Sequence, residues 1–170
     1  MSFVQTLRTE TAADHDAVDA RFGALRLDRT ADYLRFLIAH GRALPAVEAA
    51  LANHGDLPVW RPRAGALAAD LAALGRPLPA ALPFVLDNEG ARWGALYVIE
   101  GSRLGGQLLA RSLPPAAPSA YLGAVHQRGE WRALLDALER QAAARDDRWR
   151  AAALHGARQT FALYRGALGD

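Results

Sequence analysis

Apolar positions recur every three or four residues along most of this chain, the spacing that lines side chains up on one face of an α-helix. From Val4 the stripe runs through Leu7, Thr11, His15, Val18 and Phe22, with Ser2 placed to cap it. A second helix starts near Thr30 or Asp32 and carries Tyr33, Leu37, His40, Leu44, Val47 and Leu51 on one side. Pro45 falls inside that stripe and, lacking an N–H, predicts a kink or a break. Gly55 to Pro62 reads as a loop. Leu67, Leu71 and Leu74 mark a short helix stopped by Gly75 and Pro77, after which Pro77, Pro79 and Pro83 form a stiff connector. A fourth helix begins at Asp87 or Asn88, passes through Trp93, Leu96, Tyr97, Ile99, Leu104 and Leu108, and ends before Pro114, Pro115 and Pro118. Trp131, Leu134, Leu135 and Leu138 give a fifth; Trp149, Ala153, Gly156, Thr160, Phe161, Tyr164 and Leu168 give a sixth. No repeat or linker divides the pattern. The expectation is one all-α domain over 1–170, a bundle of about six helices.

Composition supports that reading and narrows the chemistry. Alanine, leucine and arginine dominate, all strong helix formers, while β-branched residues are scarce. At 170 residues with 51% apolar and 22% charged positions, the chain can bury a core without disulfide or metal staples. It has no cysteine, which excludes disulfides, thiolate-held metals and cysteine nucleophiles together. The 20 basic residues are all arginine and face 18 acids, for a net charge of only +2. They are spread without a dense run, which argues against a nucleic-acid partner. No apolar stretch approaches the roughly 20 residues of a membrane span. Met1 to Glu10 has polar residues where a signal peptide is apolar. The expected setting is the cytoplasm, without membrane attachment.

Two places depart from a plain bundle. The segment Gly101-Ser102-Arg103-Leu104-Gly105-Gly106 puts three glycines in six positions inside a helix. Each costs about 1 kcal/mol relative to alanine, so the segment needs a reason. Either another helix packs closely there, or a flat ligand lies directly on the main chain, or the helix bends and frees carbonyls that can hold water or contact a ligand. The second place is His15, a lone histidine on the apolar stripe, with Asp19 one turn later. A core histidine with a satisfied hydrogen bond is one reading. The other is a metal ligand whose tautomer is fixed by the carboxylate behind it. A histidine on one helix and a glycine-opened helix elsewhere would make two walls of a slot for a planar metal macrocycle.

Several segments resemble the heme oxygenase family, in its shorter bacterial, bacteriophytochrome-associated branch. They are Leu7-Arg8-Thr9-Glu10-Thr11 through His15 and Asp19, then Arg61-Pro62-Arg63 with Leu67, Asp70 and Leu71. They continue with Gly94 to Gln107, and with Gly156-Ala157-Arg158-Gln159-Thr160-Phe161-Ala162. The run Gly101 to Gly106 is the most specific of these. The resemblance implies an all-α fold holding heme between a proximal and a distal helix. It implies oxidation of heme by dioxygen and external electrons to biliverdin, carbon monoxide and ferrous iron.

Carried over by position, the resemblance makes His15 the iron ligand and Asp19 the carboxylate behind it. Gly101, Gly105 and Gly106 become the glycines against the heme, and Phe161 an aromatic residue of its pocket. Arg8 and Arg132 match positions that pair with the heme propionates, a task suited to a guanidinium. Ser102, with Gly101 and Gly105, takes the catalytic distal position. The chain departs from the animal enzymes in three ways: Ser102 replaces an aspartate, Asp19 is one methylene shorter than a frequent glutamate, and Leu96 stands where a propionate-contacting tyrosine would be. No flavin or nicotinamide fingerprint is present, so the implied electron donor is a separate ferredoxin or flavin reductase. A bacteriophytochrome is the implied recipient of biliverdin. Two other classes remain, a heme-binding or trafficking protein that does not degrade its ligand, and a cofactor-free helical interaction protein.

Overall fold

The stripe at the N-terminus folds as two helices, α1 (Phe3–Glu10) and α2 (Ala12–Gly23). The break is at Thr11, whose hydroxyl donates to the Leu7 carbonyl at 2.8 Å beside its own backbone N–H at 3.1 Å. Such back-bonding from a threonine bends a helix. Ser2 caps α1 as expected, accepting from the Gln5 N–H at 3.2 Å while the Gln5 side chain accepts from the Ser2 N–H at 3.0 Å. The computed structural model describes residues 1–169.

Helix α3 (Thr30–Leu51) runs unbroken through Pro45. The proline leaves the Gly41 carbonyl without its helical donor, and the proline-rich connector covers that turn. A Cβ on Gly41 would meet the Pro79 ring at 2.8 Å, and the Leu82 N–H donates to the neighbouring Arg42 carbonyl at 2.8 Å. The weak turn is supported from outside rather than broken. Helix α4 (Ala64–Ala73) ends where expected, with Gly75 at φ +71° and the Arg76 N–H returning to the Leu71 carbonyl at 2.9 Å.

Helix α5 (Glu89–Leu109) is capped by the Asn88 side chain and closes in a 3-10 turn over Ala110–Ser112. Helices α6 (Glu130–Ala144) and α7 (Asp147–Ala167) complete an all-helical fold of seven α-helices among the described residues. The expected count was about six; the split at Thr11 accounts for the seventh. Helices α5 and α7 form the tightest crossing, because Gly90 and Gly94 face the backbone of Trp149 and Ala153 while Gly156 faces that of Ala91. A Cβ at Gly94 or Gly156 would run into a partner carbonyl. Helix α3 packs on α4, α5 and α7, and α1 on α6, around a core that includes Leu37, Val47, Leu71, Leu96, Ile99 and Leu138.

Candidate active site

Helix α2 lies on α7 and buries none of its side chains completely. The sequence stripe put His15 on a buried face; in the structure its side chain is 56% exposed, so the core-histidine reading does not hold. His15 Nδ1 lies 3.3 Å from Asp19 Oδ2, one turn on, without an intervening water being needed to span the shorter carboxylate. The flat of the imidazole is fixed from α7, where Phe161 meets it edge-on with centroids 5.8 Å apart. Asp16 stands on the same side at 3.8 Å. With Nδ1 beside a carboxylate, the nitrogen left for a ligand is Nε2.

The glycines of α5 divide into two kinds. Tyr97, Gly101 and Gly105 stand at i, i+4 and i+8, on the face that also carries Leu104 and Leu108. Leu104 and Leu108 are exposed apolar residues, at 47% and 63%. A Cβ on Gly105 would meet nothing within 4 Å, and one on Gly101 would meet only the rim of the Trp131 ring, at 3.3 Å. These two glycines keep an apolar helix face open. Gly106 does not share that face. It is buried, its missing Cβ points at Leu122 at 3.4 Å, and its part is packing.

Ser102 flanks the open face and is exposed, while its hydroxyl donates to the Ile99 carbonyl at 2.7 Å. Behind it lies Arg63, from the residue before α4, only 4% exposed. The Arg63 guanidinium donates to Ser102 Oγ at 2.8 Å and to the Ile99 carbonyl at 2.5 Å, and lies over the Tyr121 ring at 5.2 Å. Its backbone is clamped by Glu48, a buried carboxylate that accepts the N–H groups of Arg63 at 2.6 Å and Ala64 at 3.1 Å. Burial raises the Glu48 carboxyl above its usual range, against the pull of those two N–H groups. Beyond Tyr121 lies His40, whose Nδ1 is 2.9 Å from the Phe36 carbonyl and whose ring is packed among Phe22, Phe36 and Tyr164. Burial holds His40 near pKa 4, so it is neutral at pH 7.

Arg8 is exposed on α1, has no ion-pair partner among the described residues, and is close enough to Tyr97 for its charge to oppose the upward push of burial on the phenol. Tyr97 in turn lies against Trp131, with centroids 5.7 Å apart. Arg132 on α6 reaches Asp136 at 3.2 Å and is largely free in solvent. A cavity of about 360 Å³ between α5 and the start of α6 has Leu104, Trp131 and Arg132 in its wall. A larger one, about 660 Å³ at the end of α3, has none of the candidate heme-site residues in its wall.

Thus the fold joins His15 to Asp19 and Phe161, and sets Gly101 and Gly105 on one face of α5. Sequence reasoning missed Arg63 as the partner of Ser102, since its neighbour is 39 positions away. It also missed Tyr97, although its spacing from Gly101 and Gly105 was there to be read.

An all-helical fold with an outward histidine, a carboxylate behind it and an apolar, glycine-opened helix is the form of a heme-binding helical protein. The residues present are of the kinds that would hold heme: an exposed imidazole on α2, an apolar face on α5 and exposed arginines. No family model matches the chain. A heme oxygenase from Xanthomonas campestris pv. campestris (strain 8004) is 37% identical over 151 residues, spanning 80% of this chain and 88% of that protein. The solved structure of the heme oxygenase from Neisseria meningitidis, with NO and CO bound, superposes with a TM-score of 0.84 at 26% identity, covering 99% of this chain and 90% of that one. The chain belongs to the heme oxygenase family, and both of these relatives are bacterial.

Proposed function

We propose that His15 would hold the heme iron in an enzyme that cleaves heme to biliverdin, carbon monoxide and ferrous iron, with dioxygen and external electrons. Heme is both substrate and cofactor: it supplies the iron at which dioxygen is activated and the ring edge that is oxidised. Everything else is positioning by the chain. His15 binds through the nitrogen turned away from Asp19, and Asp19 holds the ring in that tautomer. Phe161 limits rotation of the imidazole. Gly101 and Gly105 would let the backbone of α5 come close to the bound heme, since a Cβ at Gly105 would meet nothing and one at Gly101 only the rim of Trp131. Leu104 and Leu108 exclude water from the apolar part of the ring. Arg8 and Arg132 would pair with the propionates and so help to orient the substrate. Ser102 contributes an ordered hydroxyl at the flank.

The observation that carries this reading is the exposed His15 imidazole with Asp19 3.3 Å from Nδ1. No described helix is long and apolar enough to cross a membrane. We further infer a cytoplasmic protein that takes electrons from a separate ferredoxin or flavin reductase at its arginine-bearing surface and passes biliverdin to a bacteriophytochrome.

The test is a hemin titration. One equivalent should give a histidine-type Soret band, and reductant with oxygen should then turn the sample green. His15→Ala should lose the histidine-type spectrum and turnover together, with part of the spectrum restored by added imidazole. An unchanged spectrum in that variant would move the ligand elsewhere.

A further inference from the structure

We propose that Arg158 of α7 is a positioning residue for His15: it ties the joint between α1 and α2 to α7 and so sets where the imidazole stands relative to the open face of α5. The proposal rests on the heme reading given above. It starts from how α2 is held. No side chain of α2 is completely buried, so core packing alone does not fix where this helix lies. Its two ends are instead strapped to α7 by arginines. At the far end, Arg21 of α2 donates to the Gly169 carbonyl just beyond α7. At the near end, Arg158 reaches the joint at Thr11. Its Nη2 donates to the Glu10 carbonyl at 2.9 Å and to the Glu10 carboxylate at 3.3 Å, and its Nε lies 3.6 Å from Asp14 Oδ2.

Of these contacts the carbonyl matters most. The ion pairs lie at the surface, where such pairs contribute little. The Glu10 carbonyl is the last of α1; carbonyls at a helix C-terminus lack a donor within their own helix, and this one takes its donor from a guanidinium on α7. Arg158 and Phe161 are three positions apart and share a face of α7. One turn of α7 therefore holds both the joint and the imidazole, which Phe161 meets edge-on. Helix α7 is also locked onto α5, with Gly156 against the Ala91 backbone and Gly94 against the Ala153 carbonyl. It is thus the spacer between the helix that carries His15 and the helix that carries Gly101 and Gly105. Arg158 fixes α2 to that spacer one turn before His15.

The iron–histidine stretching band in the Raman spectrum of the ferrous, heme-loaded protein tests this without relying on turnover, because its frequency reports how the imidazole is oriented and strained at the iron. Arg158→Met keeps the aliphatic stem but has no donor. It should shift or broaden that band and weaken hemin binding about tenfold, the factor that one charge-assisted hydrogen bond carries. A band at the wild-type position and width overturns the proposal whatever happens to affinity, since a residue that only steadies the fold leaves it there. Glu10→Gln, at an exposed position, keeps the backbone carbonyl and should leave the band unmoved. A shifted band in Glu10→Gln would make the carboxylate the effective partner and would equally overturn the proposal, even if Arg158→Met did not fold. If wild-type protein gave no histidine-type Soret band with hemin, the heme reading itself would fail, a result distinct from either of these.

Discussion

The ring of Phe161 on α7 meets the His15 imidazole on α2 edge-on, at 79° and 5.8 Å between centroids, so the proposed iron ligand is held by a residue 146 positions away in sequence. Such a contact is worth about 0.5–1.5 kcal/mol. Phe161→Ala should therefore weaken hemin binding roughly two- to tenfold. The histidine-type spectrum should remain, since the ligand is untouched. Titration of hemin into the variant checks this, and loss of the spectrum would show that Phe161 does more than aim the ring.

Gly105 and Gly94 lie on one helix and should respond oppositely to the same change. Gly105 has open space where a Cβ would be, and leucine favours helix over glycine by about 0.8 kcal/mol. The heme-free Gly105→Leu protein should be as stable as wild type or more so, while turnover is lost to a side chain over the ring. Gly94→Leu would drive a side chain into the Ala153 carbonyl and should cost about 3 kcal/mol or more. Thermal melts of the two heme-free variants decide it. Unfolding in Gly105→Leu would mean that this glycine, too, serves packing.

Ser102→Ala should slow biliverdin formation by about tenfold or less, the cost of one neutral hydrogen bond. The hydroxyl hydrogen is committed to Ile99 and the charge behind it belongs to Arg63. Single-turnover spectra measure the effect. A hundredfold slowing would make the hydroxyl itself the essential donor.

His40 gives the protein a stability that depends on pH. Its ring titrates near pH 4 in the folded state because it is buried among aromatic rings, with the Arg63 charge adding to the shift. Unfolded, it titrates near 6.5. The depressed folded value means that the unfolded chain takes up the proton first, so stability falls as the pH drops from about 6.5 toward 4. Between pH 7 and pH 5 the loss from this group is about 2 kcal/mol. Urea unfolding at the two pH values should show that difference in wild type and little of it in His40→Phe. An equal difference in both would assign it to other groups.

The spacing of Leu37, Leu44, Val47 and Leu51, the Asn88 cap and the Gly75 stop determined most of the helices, because periodicity and capping are local properties. The same local logic set Tyr97, Gly101 and Gly105 on one side of α5, and paired His15 with Asp19 one turn apart. It could not tell which side of a helix the rest of the chain would cover. His15 lies on an apolar stripe yet is exposed, touched by Phe161 of α7 but not enclosed. Gly105 and Gly106 are neighbours of identical type, and only Leu122, arriving from the loop before α6, separates the open one from the packed one. Pro45 carries the signal of a break, but the connector laid across its turn keeps α3 whole. Arg63 reads as one arginine among 20 until Glu48 pins its backbone and α5 passes within reach of its guanidinium. Local spacing fixes which residues share a helix face, whereas coverage, close approach and buried charge depend on contacts between distant segments, which only the packed chain supplies.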